Sequence, residues 1–306
     1  MMQNVQTDKS RLALITGCAS GIARHLTTVL SKREGYRILA TDVNIDALES
    51  SAKEQGWDPG MVRLKKLDVR SASEWQGVIE DVIDVWGKLD VCMNIAGFCI
   101  QGFVHEFAME HLDLHLDINT KGAILGTRFA AEQMLKQGHG HIINMGSLAS
   151  LSPVPGTSLY CASKFALRGF SLAAYYELQP RGIDISIVEP DLVDTGKLQT
   201  QLQYGDDAAA VGFSAPRILQ VEDIEQVFLD KVLKQRKLEV PIPLSRGWLC
   251  KFGGAFPKLS VKLFKIMTRI GLNNIERERS RRKGLESVVT PDTWIYEQEK
   301  KRNKPL

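Results

Sequence analysis

The chain has 306 residues, 44% of them hydrophobic, which is enough to bury one large core carrying an appendage. Its formal charge of +3 is unevenly spread: between Ser245 and Lys283 eleven Lys/Arg stand against two Glu, a local +9 that leaves −6 elsewhere. That distribution argues against a general nucleic-acid-binding surface and assigns the basic character to a specialised tail.

Five cysteines, Cys18, Cys92, Cys99, Cys161 and Cys250, form neither paired CxxC spacings nor a metal-ligand pattern, so a reduced, cytoplasmic protein is expected. The polar N-terminus has no apolar signal core, and no stretch offers about 18 uninterrupted apolar residues. Neither a secretory signal nor a membrane span is expected.

In chain order, short apolar runs alternate with longer segments of helical period. The pattern predicts strands at 11–16, 36–41, 61–67, 89–94, 140–146, 183–189 and 238–242. Helices are predicted near 21–33, 45–55, 72–86, 107–137, 158–179 and 221–236. The alternation describes an α/β, Rossmann-type, doubly wound sheet of seven parallel strands with helices on both faces, whose ligands bind beyond the carboxyl ends of the strands. Residues 1–244 are expected to form one dinucleotide-binding and catalytic domain, and 245–306 a basic amphipathic helical extension.

Where the first strand turns into a helix lies Thr16-Gly17-Cys18-Ala19-Ser20-Gly21-Ile22-Ala23. Glycines at such a turn let backbone approach a pyrophosphate, and free N–H groups at the helix start favour its negative charge. Gly17, Ser20, Gly21 and Ile22 are the expected contacts. Asp42 ends the second strand, 21 residues after Gly21, where a carboxylate can accept hydrogen bonds from the adenosine ribose and would repel a 2′-phosphate. NAD is therefore expected over NADP, although Arg24 and Arg37 supply nearby cations and Asp42 also reads as an N-cap for the helix at 45–55.

Ser147, Tyr160 and Lys164 follow at separations of 13 and 4 residues. A four-residue helical step puts the phenol and the ammonium on one face, where the positive charge favours phenolate. Taken with the glycine turn and Asp42, this spacing resembles the short-chain dehydrogenase/reductase family across roughly residues 10–242. The family's Thr-Gly-x-x-x-Gly-x-Gly matches Thr16 to Ala23, with Ala23 in place of the last glycine.

The resemblance implies further roles. Asp68 and Val69 would contact adenine, and Asn94-Ile95-Ala96-Gly97 would support sheet and cofactor, with Asn94, Ala96 and Gly97 as binding residues. Asn119 would complete a catalytic tetrad with Ser147, Tyr160 and Lys164 by holding a water beside the lysine. In Pro190-Asp191-Leu192-Val193-Asp194-Thr195, the residues Pro190, Val193 and Thr195 would hold the nicotinamide amide, while Asp191 departs from the family's glycine. Tyr160 would exchange the alcohol proton, Ser147 would bond the same oxygen, and Lys164 would also hold the nicotinamide ribose. Homodimers or homotetramers built through 107–137 and 158–179 are a further implication.

No metal is expected. His111 and His115 are spaced i,i+4 but read as part of a solvated helix face, and hydride transfer with nicotinamide needs no metal. Cys161 reads as a packed thiol.

In the extension, Pro257 to Gly271 predicts a helix of about four turns, with Pro257 at its start and Gly271 as its stop. Lys258, Lys262, Lys265 and Arg269 fall in one sector, and Leu259, Leu263, Phe264, Ile266, Met267 and Ile270 in another. With Trp248, Phe252 and Phe256 before it, segment 248–270 suits peripheral docking on an anionic membrane surface; it suits equally a cover over the cleft or a contact with another subunit. Glu276 to Lys283 reads as a solvated charged helix.

All three placements of the extension favour a hydrophobic small-molecule substrate. The resemblance implies interconversion of an alcohol with its ketone or aldehyde, and by the same resemblance the hydrophobic alcohol would be of steroid, retinoid or long-chain lipid type. The alternative is a membrane-surface binding or scaffolding protein that keeps the fold and cofactor without turnover. Nucleotide-sugar epimerisation is disfavoured by the short region between Asp191 and Gln220.

Overall fold

A computed structural model describes residues 10–195, 198, 202 and 210–282. Seven strands, β1 (Leu12–Thr16), β2 (Arg37–Asp42), β3 (Val62–Lys66), β4 (Val91–Asn94), β5 (Gly140–Met145), β6 (Ile183–Pro190) and β7 (Glu239–Ile242), form one sheet in the order β3-β2-β1-β4-β5-β6-β7. Every pairing is parallel. The order reverses direction between β1 and β4, which opens a crevice at their carboxyl ends. β1, β4 and β5 are buried along their whole length because helices cover both faces, so their sequences run apolar instead of alternating.

The first six covering helices are α1 (Gly21–Lys32), α2 (Ile45–Gln55), α3 (Ala72–Trp86), α4 (Met109–Leu116), α5 (Ala123–Gln137) and α6 (Ser158–Leu178). Local chemistry sets their starts: the Asn44 side chain accepts from Ala47 N to cap α2, and Ser71 accepts from Glu74 N to cap α3. Two apolar cores result. Leu26, Leu30, Ile38, Leu48 and Phe228 fill one face of the sheet, and Trp75, Val78, Leu114, Met134 and Leu178 fill the other.

The predicted helix at 107–137 is interrupted. A π-helical turn, Asp117–Gly122, joins α4 to α5, and a second one, Phe228–Lys234, continues α7 (Val221–Val227). A π turn is a one-turn irregularity inside an otherwise continuous helix, and residue periodicity does not mark it.

The extension differs more from expectation. Residues predicted only as an aromatic lead-in form α8 (Leu244–Ala255), and α9 (Pro257–Arg281) runs straight through Gly271. Gly271 is no stop signal: a Cβ there would lie 1.6 Å from Ala210 O, so the residue lets the helix touch backbone. The segment after it is not simply solvated. Arg279 donates to Leu202 O at 2.6 Å, and Arg282 pairs with Asp194 at 2.7 Å. The Lys262 side chain and Lys283 lie outside the described residues. No helix among the described residues is long and apolar enough to cross a membrane.

Candidate active site

The strand ends open into a cavity of about 790 Å³. Gly17, Ser20, Gly21, Ile22, Asp42, Asp68, Val69, Ala96, Gly97, Ser147, Tyr160, Lys164, Pro190, Val193 and Thr195 all line it. These residues are spread over nearly 180 positions and meet because most of them stand at the carboxyl ends of strands of the same parallel sheet, with Tyr160 and Lys164 brought over β5 by α6.

At one end, Gly17 takes a φ of +80° and sits so close to Ala96 that an added Cβ would come within 3.0 Å of its Cα. Ser20 occupies the N-cap position of α1, yet its side chain makes no cap bond and the first turn carries no acid. The helix therefore presents bare N–H groups and the positive end of its dipole to the cavity, a surface suited to a pyrophosphate. Thr16 Oγ1 accepts from Ile95 N and Ala96 N, each at 3.0 Å, and fixes the neighbouring segment against β1. Ala23, where the family pattern has glycine, is buried in the core.

The Asp42 carboxylate accepts from Ala19 N and Asn44 N, each at 3.0 Å, and faces the cavity. It does not cap α2; Asn44 does. Arg24 is engaged with Glu54 at 3.2 Å, and Arg37 stands at the opposite end of β2 from Asp42. Lys66 and Arg70 also reach this part of the lining, with Arg70 bound to the Asp68 carboxylate at 2.7 Å.

Ser147 follows β5, and Tyr160 and Lys164 stand one turn apart on α6. Lys164 Nζ donates to Met145 O at 2.7 Å and lies 5.6 Å from the centre of the Tyr160 ring. That bond anchors the ammonium on β5 beside the phenol. Ser147 Oγ accepts from Ala149 N at 3.2 Å and reaches Pro190 O at 3.5 Å, so the hydroxyl sits between the ends of β5 and β6.

Two predicted site residues stand behind the lining. Asn119, within the π turn, donates to Phe98 O and Ser163 Oγ at 2.8 and 3.0 Å and accepts from Phe98 N at 2.6 Å. Its side-chain amide is thus occupied in holding the Phe98 backbone and α6. Asn94 donates to Asn144 Oδ1 at 2.8 Å, and Asn144 to Ser171 Oγ at 2.9 Å, a buried chain from β4 to α6. The Asn94 side chain supports the sheet and does not reach the cavity.

His115 corrects the solvated-face reading of its helix. It is fully buried, receives Ile100 N on Nε2 at 3.3 Å, holds His111 O through Nδ1 at 2.6 Å, and lies edge-on to Tyr160. Both ring nitrogens are engaged by the fold. Cys161 accepts from Val154 N, and burial pushes its thiol up.

The other end of the cavity contains residues that spacing could not single out. Leu148, Val154, Leu192, Phe213, Phe264 and Met267 give it apolar walls, the last two from α9. Arg246, from α8, forms an ion pair with Asp191, and both line the cavity. Burial pushes the Asp191 carboxyl upward even though Arg246 pulls the other way. The side chain that replaces glycine at position 191 therefore clamps α8 to the loop after β6. The only advance signal was the departure from the family pattern.

Beneath this end, Glu189 is fully buried on β6. Burial pushes its carboxyl up to about 7, with Arg168 at 3.5 Å opposing the shift. Ser150 Oγ lies 2.6 Å from Glu189 Oε1 and 2.5 Å from Ser147 O. The Ser150 hydroxyl is thus shared between the two acceptors, and its bond to Glu189 works against the upward push of burial.

Residues 11–204 match the family model for short chain dehydrogenases. The chain belongs to that family. It is 30% identical over 221 residues to the 3-oxoacyl-(acyl-carrier-protein) reductase FabG of Thermotoga maritima, covering 72% of this chain and 89% of that one. A D-threitol dehydrogenase of Mycolicibacterium smegmatis is 32% identical over 185 residues, 60% of this chain and 71% of the relative. The fold is shared with a short chain dehydrogenase/reductase from Burkholderia phymatum crystallised with NAD, at a TM-score of 0.70 and 21% identity over 83% of this chain and 95% of that one. As a member of this family the protein is an oxidoreductase. The family match ends before α8, so it leaves the extension unaccounted for.

Proposed function

We propose that the protein is an NAD(H)-dependent oxidoreductase that interconverts a hydrophobic alcohol with its ketone or aldehyde. The observation that carries this reading is that Tyr160, Lys164 and Ser147 line the same cavity as the bare N-terminus of α1 and Asp42.

When bound, a nicotinamide supplies the hydride acceptor or donor. Gly17, Gly21 and Ile22 would hold its pyrophosphate, Asp42 its adenosine ribose, and Val193 and Thr195 its amide. Tyr160 removes the alcohol proton in oxidation and returns it in reduction. Lys164, fixed by Met145 O, favours the phenolate. Ser147 hydrogen-bonds the substrate oxygen and keeps it in reach of Tyr160. Asn119 positions the Phe98 backbone and α6 behind these groups. General acid–base assistance of this kind contributes roughly 10²–10⁴-fold, and holding the reactants in line contributes much of the rest.

The Thermotoga and Mycolicibacterium relatives are named for an acyl ketone and for a polyol. Phe213, Phe264, Met267, Leu148 and Val154 favour the apolar class, of steroid, retinoid or long-chain lipid type. NADH and NADPH fluorescence titrations test the cofactor assignment. Tighter binding of NADH is expected from Asp42; tighter binding of NADPH would assign the 2′-phosphate to Lys66 and Arg70 and overturn that part of the reading.

A further inference from the structure

Of the seventeen large apolar side chains that stand exposed among the described residues, ten lie between Leu244 and Ile270. Trp248 is 66% exposed, Leu259 63%, Ile266 59% and Phe252 54%. Surface hydrophobes scattered singly need no explanation, but a contiguous group on two consecutive helices does.

Both helices are fixed by their opposite faces. Along α9 the inward positions Ser260, Phe264, Met267, Gly271 and Ile275 recur every three to four residues, and Ile275 is buried with Leu198, Leu202, Ala210 and Phe213. A Cβ on Gly254 of α8 would lie 2.1 Å from Leu151 O, and one on Gly271 1.6 Å from Ala210 O. Asn274 donates to Phe213 O at 2.9 Å. With the inner face committed to the cleft, Leu259, Leu263, Ile266 and Ile270 cannot also turn inward. The apolar sector of α9 is wider than the cavity it covers, and the surplus faces out.

Charge decides what fits this surface. Between Val240 and Ile275 the sequence contains six Lys/Arg and no Asp or Glu. Arg246 and Lys251 are engaged by Asp191 and Glu239, whereas Lys258, Lys265 and Arg269 are exposed beside the apolar row. Pairing with a second copy through this face would oppose cation to cation with no acid to relieve them. Anionic lipid headgroups supply the missing charge, and Trp248, Phe252 and the aliphatic row suit the boundary between headgroups and acyl chains.

We infer that the outer face of α8 and α9 docks the protein on an anionic lipid surface. The docking does not depend on the reaction proposed above. Phe264 and Met267, on the inner side of the same helix, line the apolar cavity, so docking brings that cavity close to the phase in which a hydrophobic alcohol dissolves.

The test is co-sedimentation of the full chain with phosphatidylcholine vesicles, with and without phosphatidylserine, together with light scattering of the free protein. Binding to the anionic vesicles is expected to be at least about tenfold tighter than to neutral ones and to weaken as salt rises. Combined Lys258→Glu, Lys265→Glu and Arg269→Glu substitutions are expected to abolish the preference for anionic vesicles. Leu263→Ser with Ile266→Ser is expected to reduce binding to both kinds. Unchanged thermal melts check that these exposed changes leave the fold intact. Failure of the native chain to sediment with anionic vesicles would overturn the inference. So would binding indifferent to salt and to both sets of substitutions, or a native dimer that Ile266→Ser dissociates.

Discussion

The two ends of the cavity are held by different means. At the cofactor end the glycine turn, Asp42, Asp68, Ala96 and Ser147 stand at the carboxyl ends of strands of one parallel sheet, and backbone bonds such as Gly17 N to Thr41 O at 2.8 Å fix the turns. At the substrate end the walls come from the segment between β5 and α6, from the loop after β6 and from the extension, the last two meeting in a small separate core of Leu198, Leu202, Ala210, Phe213 and Ile275. The contrast teaches that the glycine turn, Asp42 and Ser147 are held by the sheet and Tyr160 and Lys164 by α6, while part of the apolar wall is laid over them by α8 and α9. Changes at one end should therefore leave the other largely intact.

The largest expected effect breaks the chemistry without touching either support. Tyr160→Phe is expected to lower kcat by about 10²–10⁴-fold while NADH affinity, read by fluorescence, stays as it was. Equal turnover in the variant would remove the phenol from the mechanism.

A second change probes the ground common to both ends. Glu189 lies under Ser150, and the neighbouring Glu239 pairs with Arg168 of α6 at 2.7 Å and with Lys251 of α8. Its carboxyl, ordinarily near 4.5, is pushed up to about 7 by burial, so the folded chain holds a proton that the unfolded chain has released. The stability tied to that proton is complete below about pH 4.5 and is lost as pH rises towards 7, a loss on the order of 3 kcal/mol. Thermal melts from pH 5 to 8 should show this decline in the native protein and a flatter profile in Glu189→Gln. Parallel profiles would mean that Glu189 is ionised in the fold.

The smallest change acts on the substrate end alone. Gly271→Val forces α9 away from Ala210 O and displaces Phe264 and Met267. Activity on hydrophobic substrates, measured as kcat/KM, should fall by about 10–100-fold with NADH binding unchanged. Loss of NADH binding as well would show that the two ends are not separable.

The same division explains what was legible in the sequence. Strand ends, Asp42 and the Tyr160–Lys164 step depend on short-range pattern, and the structure brings them into one cavity. Asn119 and Asn94 brace the wall of the cavity through their side chains, a set of contacts that spacing alone does not reveal. The substrate end was illegible because its contacts span long separations: Asn274 to Phe213, Arg279 to Leu202 and Arg282 to Asp194 are 61, 77 and 88 residues apart. Gly271 looked like a terminator because the group that requires a glycine there, Ala210 O, is remote in sequence. His115 was misjudged because an i,i+4 histidine pair between aspartates looks polar, whereas its ring is enclosed by Phe98, Tyr160 and the backbone of Ile100.

The central claim is that Tyr160, with Lys164 beside it, acts on the oxygen, and a bound dinucleotide on the carbon, of one carbinol group in an apolar guest. Incubating the protein with NADH carrying deuterium at both C4 positions and a panel of steroid ketones, retinal and long-chain aldehydes, then weighing the products by mass spectrometry, tests it most directly. The account predicts an alcohol carrying one deuterium on its carbinol carbon, formed by the native chain and not by Tyr160→Phe. Oxidation of the labelled cofactor without deuterium in the alcohol, or equal labelling by both proteins, would contradict it.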